Sequence, residues 1–578
     1  MPKRTGAAHV VTTTRHYNGK VYRTHLLRRS YREGDQVKNE TLGNLSHLPE
    51  SLVDIIRRSL QGEDFVPAGE RFEIVSSLAC GHVEAVRLAM TRLGFASLLA
   101  SKGCRERDLV CAMVAARILS PQTKLATTRW WKTTTLAEDF GVEDADEDEL
   151  YAAMDWLFER QDRIQKKLAE RHLAPGGRVL YDLTSSYFEG TTCPLAKRGY
   201  SRDGKKGTLQ VNYGLLTDSR GCPVAVSVHE GNTSDSETLM PEVARLRDQF
   251  GIGELVMVGD RGMISQKAID ALRDLEGMGW ITALKSTSIR ALVEAGALQL
   301  GLFDERDLFE FYHADFPGER LVACRNPQLA KLRAHKREDL LATTEVLLDK
   351  IRVRVSDGKL KGQDAIGVAV GKVVNRHKVA KHFELHIRDD EFSYTRNASS
   401  IARETALDGI YVIRTSVPVK EMGTDDCVRH YKSLAQVERA FRSMKTIDLK
   451  VRPIHHRLAE RVRAHIFLCT LAYYVEWHLR ESWRELMFAD EDQAAKLNRD
   501  PVAPARRSRA ALEKMATRIL DDDSPVHSFQ TLLAELATRV RNTCRTPGTG
   551  DAAPTFQITT LQSPKYKHAL ETLERIHV

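Results

Sequence analysis

The chain has 578 residues, 42% of them apolar and 28% charged. That is ordinary globular usage with length for several cores, and it excludes a wholly disordered chain. Lys and Arg (86) exceed Asp and Glu (78) by only eight, so affinity for a polyanion must be argued from where the cations sit. Nine scattered cysteines form no CxxC pair, which speaks against a disulfide framework or zinc finger and for a reducing compartment. The longest uncharged apolar run, 466–475, is about half of the roughly 20 residues a membrane span needs. Residues 1–5 begin no signal peptide, so a soluble intracellular protein without a membrane partner is expected.

In chain order, residues 22–27 and 36–42 flank Glu33-Gly34-Asp35 as a hairpin. Its cations Arg23, Arg28, Arg29, Arg32 and Lys38 form either a solvated face or a DNA contact. Helical periodicity follows at 51–60, 84–99 and 108–119. The acidic run 143–149 reads as a helix start complementing the helix dipole, in preference to a metal site. Pro175-Gly176-Gly177 breaks the chain. Strands are then expected at 178–183, 207–217 and 222–230, a helix at 236–250, a strand at 254–260, a helix at 265–275 and a strand at 280–286. The first three strands can meander antiparallel, and the later two need helical crossovers. The stretch 287–406 loses this order and reads as an inserted subdomain: a helix at 329–350, then strands at 351–355, 366–374 and 382–387. The core resumes at 409–415, a long helix follows Thr424-Asp425-Asp426, and another covers 460–479. Residues 499–509 and 546–554 read as linkers.

Three carboxylates stand out by position. Asp182 closes the first strand of the sheet (Val179-Leu180-Tyr181-Asp182) and Asp260 the fourth (Met257-Val258-Gly259-Asp260). Each alone reads as a strand-end cap or turn former. If the strands are neighbours, the two converge, and paired carboxylate oxygens bind hard divalent cations. Glu438 lies in Tyr431-Lys432-Ser433-Leu434-Ala435-Gln436-Val437-Glu438-Arg439-Ala440-Phe441-Arg442-Ser443-Met444-Lys445. On one uniform helix of about 100° per residue, Tyr431, Glu438, Arg442 and Lys445 share an arc of roughly 60°. A charged surface face is the plain reading, whereas Phe441 and Met444 suggest docking onto a core.

These residues resemble the DDE transposases of bacterial insertion sequences, in the family-four-like group with a Tyr-(2)-Arg-(3)-Glu-(6)-Lys signature. Tyr431, Glu438 and Lys445 match that spacing. Leu434 stands in the arginine position, a departure, with Arg439 or Arg442 available as substitutes. The stretches His229-Glu230-Gly231-Asn232-Thr233-Ser234-Asp235 and Tyr200-Ser201-Arg202-Asp203-Gly204, with Gln210, Asp260-Arg261-Gly262 and Asp408-Gly409, also resemble family motifs, over roughly residues 15–480.

The resemblance implies an α/β, RNase H-like mixed sheet flanked by helices, with a β-rich insertion and a mainly helical N-terminal region. The expected divisions are a hairpin region (1–50), a helical DNA-binding region (51–175), the first part of the catalytic core (176–286), the insertion (287–406), the second part of the core with the Glu-bearing helix (407–480) and a C-terminal helical region and tail (481–578). It also implies that Asp182, Asp260 and Glu438 hold two Mg²⁺ ions, with Mn²⁺ as a substitute, and that Tyr431, Arg439, Arg442 and Lys445 contact DNA. The implied partners are transposon-end DNA, target DNA and a second copy of the chain in a synaptic complex, in the bacterial cytoplasm and on the nucleoid when bound. Two other readings remain: a nuclease built on the same carboxylates without strand transfer, and a domesticated DNA-binding protein without activity.

Overall fold

The structure, a computed structural model, describes residues 6–34, 36–63, 65, 72–299, 303, 307–545 and 555–577. The linker expected at 546–554 lies outside them, as does Asp35 of the expected hairpin turn. The chain forms two compact units: 1–77 with 541–559, and 78–540 with 560–578.

In the smaller unit, β1 (Ala8–Tyr17), β2 (Lys20–Glu33) and β3 (Gln36–Asn44) form an antiparallel meander. Asn18 and Gly19, both at positive φ, make the two-residue turn joining β1 to β2, a connection that matches strand twist. The β2–β3 pairing is the expected hairpin, and β1 adds a further one before it. α1 (Glu50–Ser59) follows. β4 (Glu73–Ala79) belongs to a second sheet with the strands Val540–Arg545 and Thr555–Thr559.

The larger unit opens with α2 (Gly81–Arg92), α3 (Phe95–Leu99), α4 (Arg105–Leu119), α5 (Lys124–Trp130), α6 (Leu136–Phe140), α7 (Glu147–Phe158) and α8 (Gln161–His172). The helix expected over 84–99 is divided at Gly94, which has φ 58°. The acidic run starts α7: Asp146 accepts from Glu149 N at 2.9 Å in a capping box, and Arg105 pairs with Asp144 and Glu149.

The central sheet comprises β5 (Gly177–Tyr187), β6 (Lys197–Arg198), β7 (Leu209–Thr217), β8 (Pro223–Glu230), β9 (Leu255–Val258), β10 (Met278–Ala283), β11 (Leu308–Phe311), β12 (Arg320–Arg325) and, further along the chain, β15 (Ile410–Thr415). Five of them run in the order β8-β7-β5-β9-β10. The β5, β7 and β8 neighbours are antiparallel, and β9 and β10 add parallel to β5. A three-strand meander extended by two crossover strands is the RNase H-like arrangement expected. α9 (Asp235–Ala244) and α10 (Gln266–Arg273) carry the crossovers, and α11 (Ser286–Glu294) follows β10. Beyond β10 the sheet continues antiparallel through β15, β12 and β11.

The insertion departs from expectation. Its strands β11 and β12 join the main sheet, and most of the rest is helical: α12 (Pro327–Ser356), α13 (Gln363–Arg376), a hairpin of β13 (Phe383–Ile387) and β14 (Phe392–Arg396), and α14 (Ala398–Thr405). Residues 351–355 and 366–374, expected as strands, lie in α12 and α13. Their β-branched residues Ile351, Val355, Ile366, Val370 and Val374 are buried in a separate core with Leu341, Leu348, Phe383 and Phe392. The packing of one helix on the other overrides their weak strand preference. After β15 come α15 (Thr424–Lys432), α16 (Leu434–Arg442) and the buried α17 (Ala459–Ser482).

Candidate active site

Strand register fixes the first two carboxylates. β5 and β9 are parallel, and their last matched pair is Leu180 with Val258. Asp182 and Asp260 each stand two residues further on. Equal offsets bring both to the same end of adjacent strands, and the Asp260 charge acts on Asp182. Asp182 is not a strand end, however. β5 runs five residues beyond it, to Tyr187, because its polar residues find buried partners. Ser186 Oγ is 3.0 Å from the Tyr213 hydroxyl, and Ser185 Oγ accepts from Arg202 N at 3.0 Å.

Asp182 is half-buried, and one of its oxygens accepts from Leu183 N at 2.8 Å. Burial foremost, with the Asp260 charge adding, pushes its pKa up to about 7. Asp260 lies exposed in a tight turn, its Oδ1 accepting from Gly262 N at 2.8 Å and Met263 N at 2.7 Å. The turn-forming role is therefore real, and it leaves Oδ2 without a protein donor among the described residues.

Glu438 sits on α16, which packs against β5 and β7. Val437, Ala440 and Phe441 face inward, with the Phe441 ring edge-to-face on Tyr213 at 5.9 Å. Glu438, Arg439 and Arg442 are exposed. Among the described residues Glu438 makes no hydrogen bond or ion pair. Tyr431 links the set electrostatically: burial, then the charges of Asp260 and Glu438, push its hydroxyl up to about 12. Leu434, in the signature's arginine position, packs against the core.

The single long helix expected here is broken. α15 ends at Lys432, Ser433 makes a turn, α16 ends at Arg442, and Ser443–Ile447 widens into a π-turn. A uniform 100° step therefore does not carry from Glu438 to Lys445. Lys445 is buried, and its Nζ donates to Asp203 Oδ1 at 2.9 Å. Arg452 pairs with the same oxygen, and Asp203 Oδ2 accepts from Tyr187 N at 3.0 Å. Lys445 thus ties the segment after the Glu helix to the end of the Asp182 strand, instead of standing free beside Glu438.

The neighbouring motifs form a supporting frame that sequence reasoning left without a role. Arg202 pairs with Asp235, and both act on the Asp182 charge, Arg202 favouring it and Asp235 opposing it. The buried Gln210 donates to Tyr200 O at 3.0 Å and Gly231 O at 2.7 Å, and Asn212 donates to Thr233 O at 2.9 Å. Gly199 and Gly231 meet so closely that a Cβ at Gly199 would lie 2.1 Å from Gly231 O. The charge alternation in Arg202-Asp203 and the lone Asp235 at a helix start were the available signals.

The donor set fits hard divalent cations. It consists of carboxylate oxygens, several without protein donors, and the Asp260 charge adds to the cost of ionising Asp182. The oxygens of Asp182, Asp260 and Glu438 do not all lie within 4.8 Å of one another.

Comparison with known proteins settles the family. Residues 175–475 match the model described as Transposase DDE domain, and residues 10–67 match that of the IS1634 family transposase, N-terminal domain. The first match alone covers more than half of the chain. The chain belongs to the DDE transposase family. No curated protein matches this transposase. Among solved structures it is similar to a piggyBac transposase in a synaptic complex with hairpin DNA, at 8% identity over 79% of each chain and a TM-score of 0.35. Among the described residues no helix is long and apolar enough to cross a membrane.

Proposed function

We propose that this transposase cleaves the ends of its own element and joins them to target DNA, with Asp182, Asp260 and Glu438 as the metal-binding carboxylates. The observation that carries the reading is the equal two-residue offset of Asp182 and Asp260 beyond the Leu180–Val258 pair, with Tyr431 under the charges of both Asp260 and Glu438. Asp182, Asp260 and Glu438 would hold two Mg²⁺ ions, or Mn²⁺ in their place, which would supply Lewis-acid stabilisation for an in-line displacement. The chain's own part is positioning. Asp182 is fixed on a central strand, Asp260 in a turn held by backbone N–H groups, and Glu438 on a helix anchored through Phe441. Arg439 and Arg442, exposed on that helix, meet the DNA backbone. Tyr431, half-buried, orients a phosphate at the edge of the site, and Lys445 acts through Asp203. Sequence recognition of the ends falls to residues 1–175, because phosphate contacts carry no sequence information. Two DNA ends require two active sites, hence at least a dimer.

The test uses duplexes carrying the element's ends together with a supercoiled target. Asp182→Asn, Asp260→Asn and Glu438→Gln should each abolish cleavage and joining while leaving end binding intact. Strong residual cleavage by any one variant removes that residue from the set. Nicking without joined product in the wild type turns the reading to the nuclease.

A further inference from the structure

A second group of ligand-type side chains surrounds Cys222. Among the described residues, His172, Cys222 and His478 are the one trio of His, Cys, Asp or Glu whose donor atoms all lie within 4.8 Å of one another. They come from three separate elements: His172 ends α8, Cys222 precedes β8 and His478 lies on α17. The Cys222 sulfur is buried, 3.9 Å from His478 Nε2. An ion about 2.3 Å from sulfur and about 2.0–2.1 Å from nitrogen spans that separation at roughly 125°, an open tetrahedral angle.

The surroundings supply a supporting partner and an entrance. The Tyr474 hydroxyl is 3.1 Å from His172 Nε2, and the Tyr474 ring meets His478 edge-on at 4.8 Å. Such outer contacts orient metal-binding imidazoles. A cavity of about 620 Å³ opens onto His172 and His478, between Arg220, Trp477 and Glu481. The nearby cations are engaged elsewhere: Arg220 with Asp218 at 2.8 Å, and Arg171 with Leu93 O at 2.9 Å.

We propose that His172, Cys222 and His478 form a three-ligand site for a thiophilic divalent ion, zinc above all, with the fourth position facing the cavity. Two nitrogens and a sulfur select a softer ion than the carboxylates of the DDE set. The site therefore stands or fails independently of the proposed function. Binding releases the Cys222 thiol proton to solvent.

The full chain, stripped with chelator, is titrated with Co²⁺ alone and then with Zn²⁺ alone. The wild type should show a near-ultraviolet thiolate-to-cobalt absorption and tetrahedral visible bands, both displaced by zinc. Oxygen ligands cannot produce the thiolate band. Cys222→Ser should lose it, and His172→Gln and His478→Gln should weaken binding by roughly tenfold or more. Absence of the thiolate band in the wild type, or its persistence in Cys222→Ser, overturns the proposal. If Cys222→Ser does not fold, as read by circular dichroism, the folded glutamine variants decide: wild-type affinity in both overturns it.

Discussion

Lys445 donates to Asp203 across 2.9 Å, at a point where both side chains are buried. The contact joins residues 242 positions apart and makes the lysine a fastener between the segment after the Glu helix and the loop beside the Asp182 strand. Lys445→Ala should lower the stability of the larger unit by roughly 1–3 kcal/mol, less than a fully broken buried pair because Arg452 still faces Asp203. Lys450, which is exposed, is the control, and Lys450→Ala should change stability by under about 0.5 kcal/mol. Denaturant unfolding of both variants checks this, and equal effects would remove the fastener role.

Arg439 and Arg442 are the exposed cations beside Glu438. Arg439→Ala and Arg442→Ala should each make the salt dependence of end-DNA affinity shallower by about one phosphate contact. Stability should change little. Affinity measured across a salt series reads the slope, and unchanged slopes in both would place the DNA elsewhere.

Base-specific contacts should map to residues 1–175. Photocrosslinking of the full chain to end DNA carrying 5-bromouracil within the recognised sequence, followed by peptide mapping, is the measurement. Crosslinks found solely beyond residue 175 would refute the assignment.

Lys124 is buried, and burial foremost, with Arg117 adding, pulls its pKa down to about 7. The unfolded chain holds this proton up to about 10.5, so between pH 7 and 10.5 it binds more protons than the native protein. Stability from this group therefore rises with pH across that window, and the penalty is fully present below pH 7. Lys124→Met should stabilise the protein at pH 6.5 by roughly 2–4 kcal/mol and much less at pH 10. A gain that is the same at both pH values would show that Lys124 is not held charged at a cost.

The sheet was legible because short apolar runs such as Leu255-Val256-Met257-Val258 separate cleanly from amphipathic helices. Asp182 and Asp260 stand out in the sequence because they follow such runs. The extension of β5 through Thr184, Ser185 and Ser186 was not, since small polar residues read as a turn until Tyr213 and Arg202 are seen to satisfy them. The role of Lys445 was hidden for a related reason. A helical wheel assumes an unbroken helix, and nothing local in Ser433 or in Ser443-Met444-Lys445 announces the turn or the widened segment. In the insertion, Ile366 to Val374 carries strand-type residues that only a facing helix converts into a buried stripe.

Arg325 and Ile410 are paired neighbours on β12 and β15, and Asn326 N donates to Gly409 O at 2.9 Å. Everything from 327 to 409 therefore departs from and returns to one rung of the sheet, and it carries its own apolar core. The ends of such an excursion are closed by the sheet itself, and lengthening it adds only a slowly growing entropy. Its size is thereby uncoupled from the active-site distances. Of the 177 residues between Asp260 and Glu438, the 83 from 327 to 409 are accommodated on that rung, so the spacing does not say how far apart the two carboxylates stand. The excursion 327–409 is the natural place to graft or remove a module.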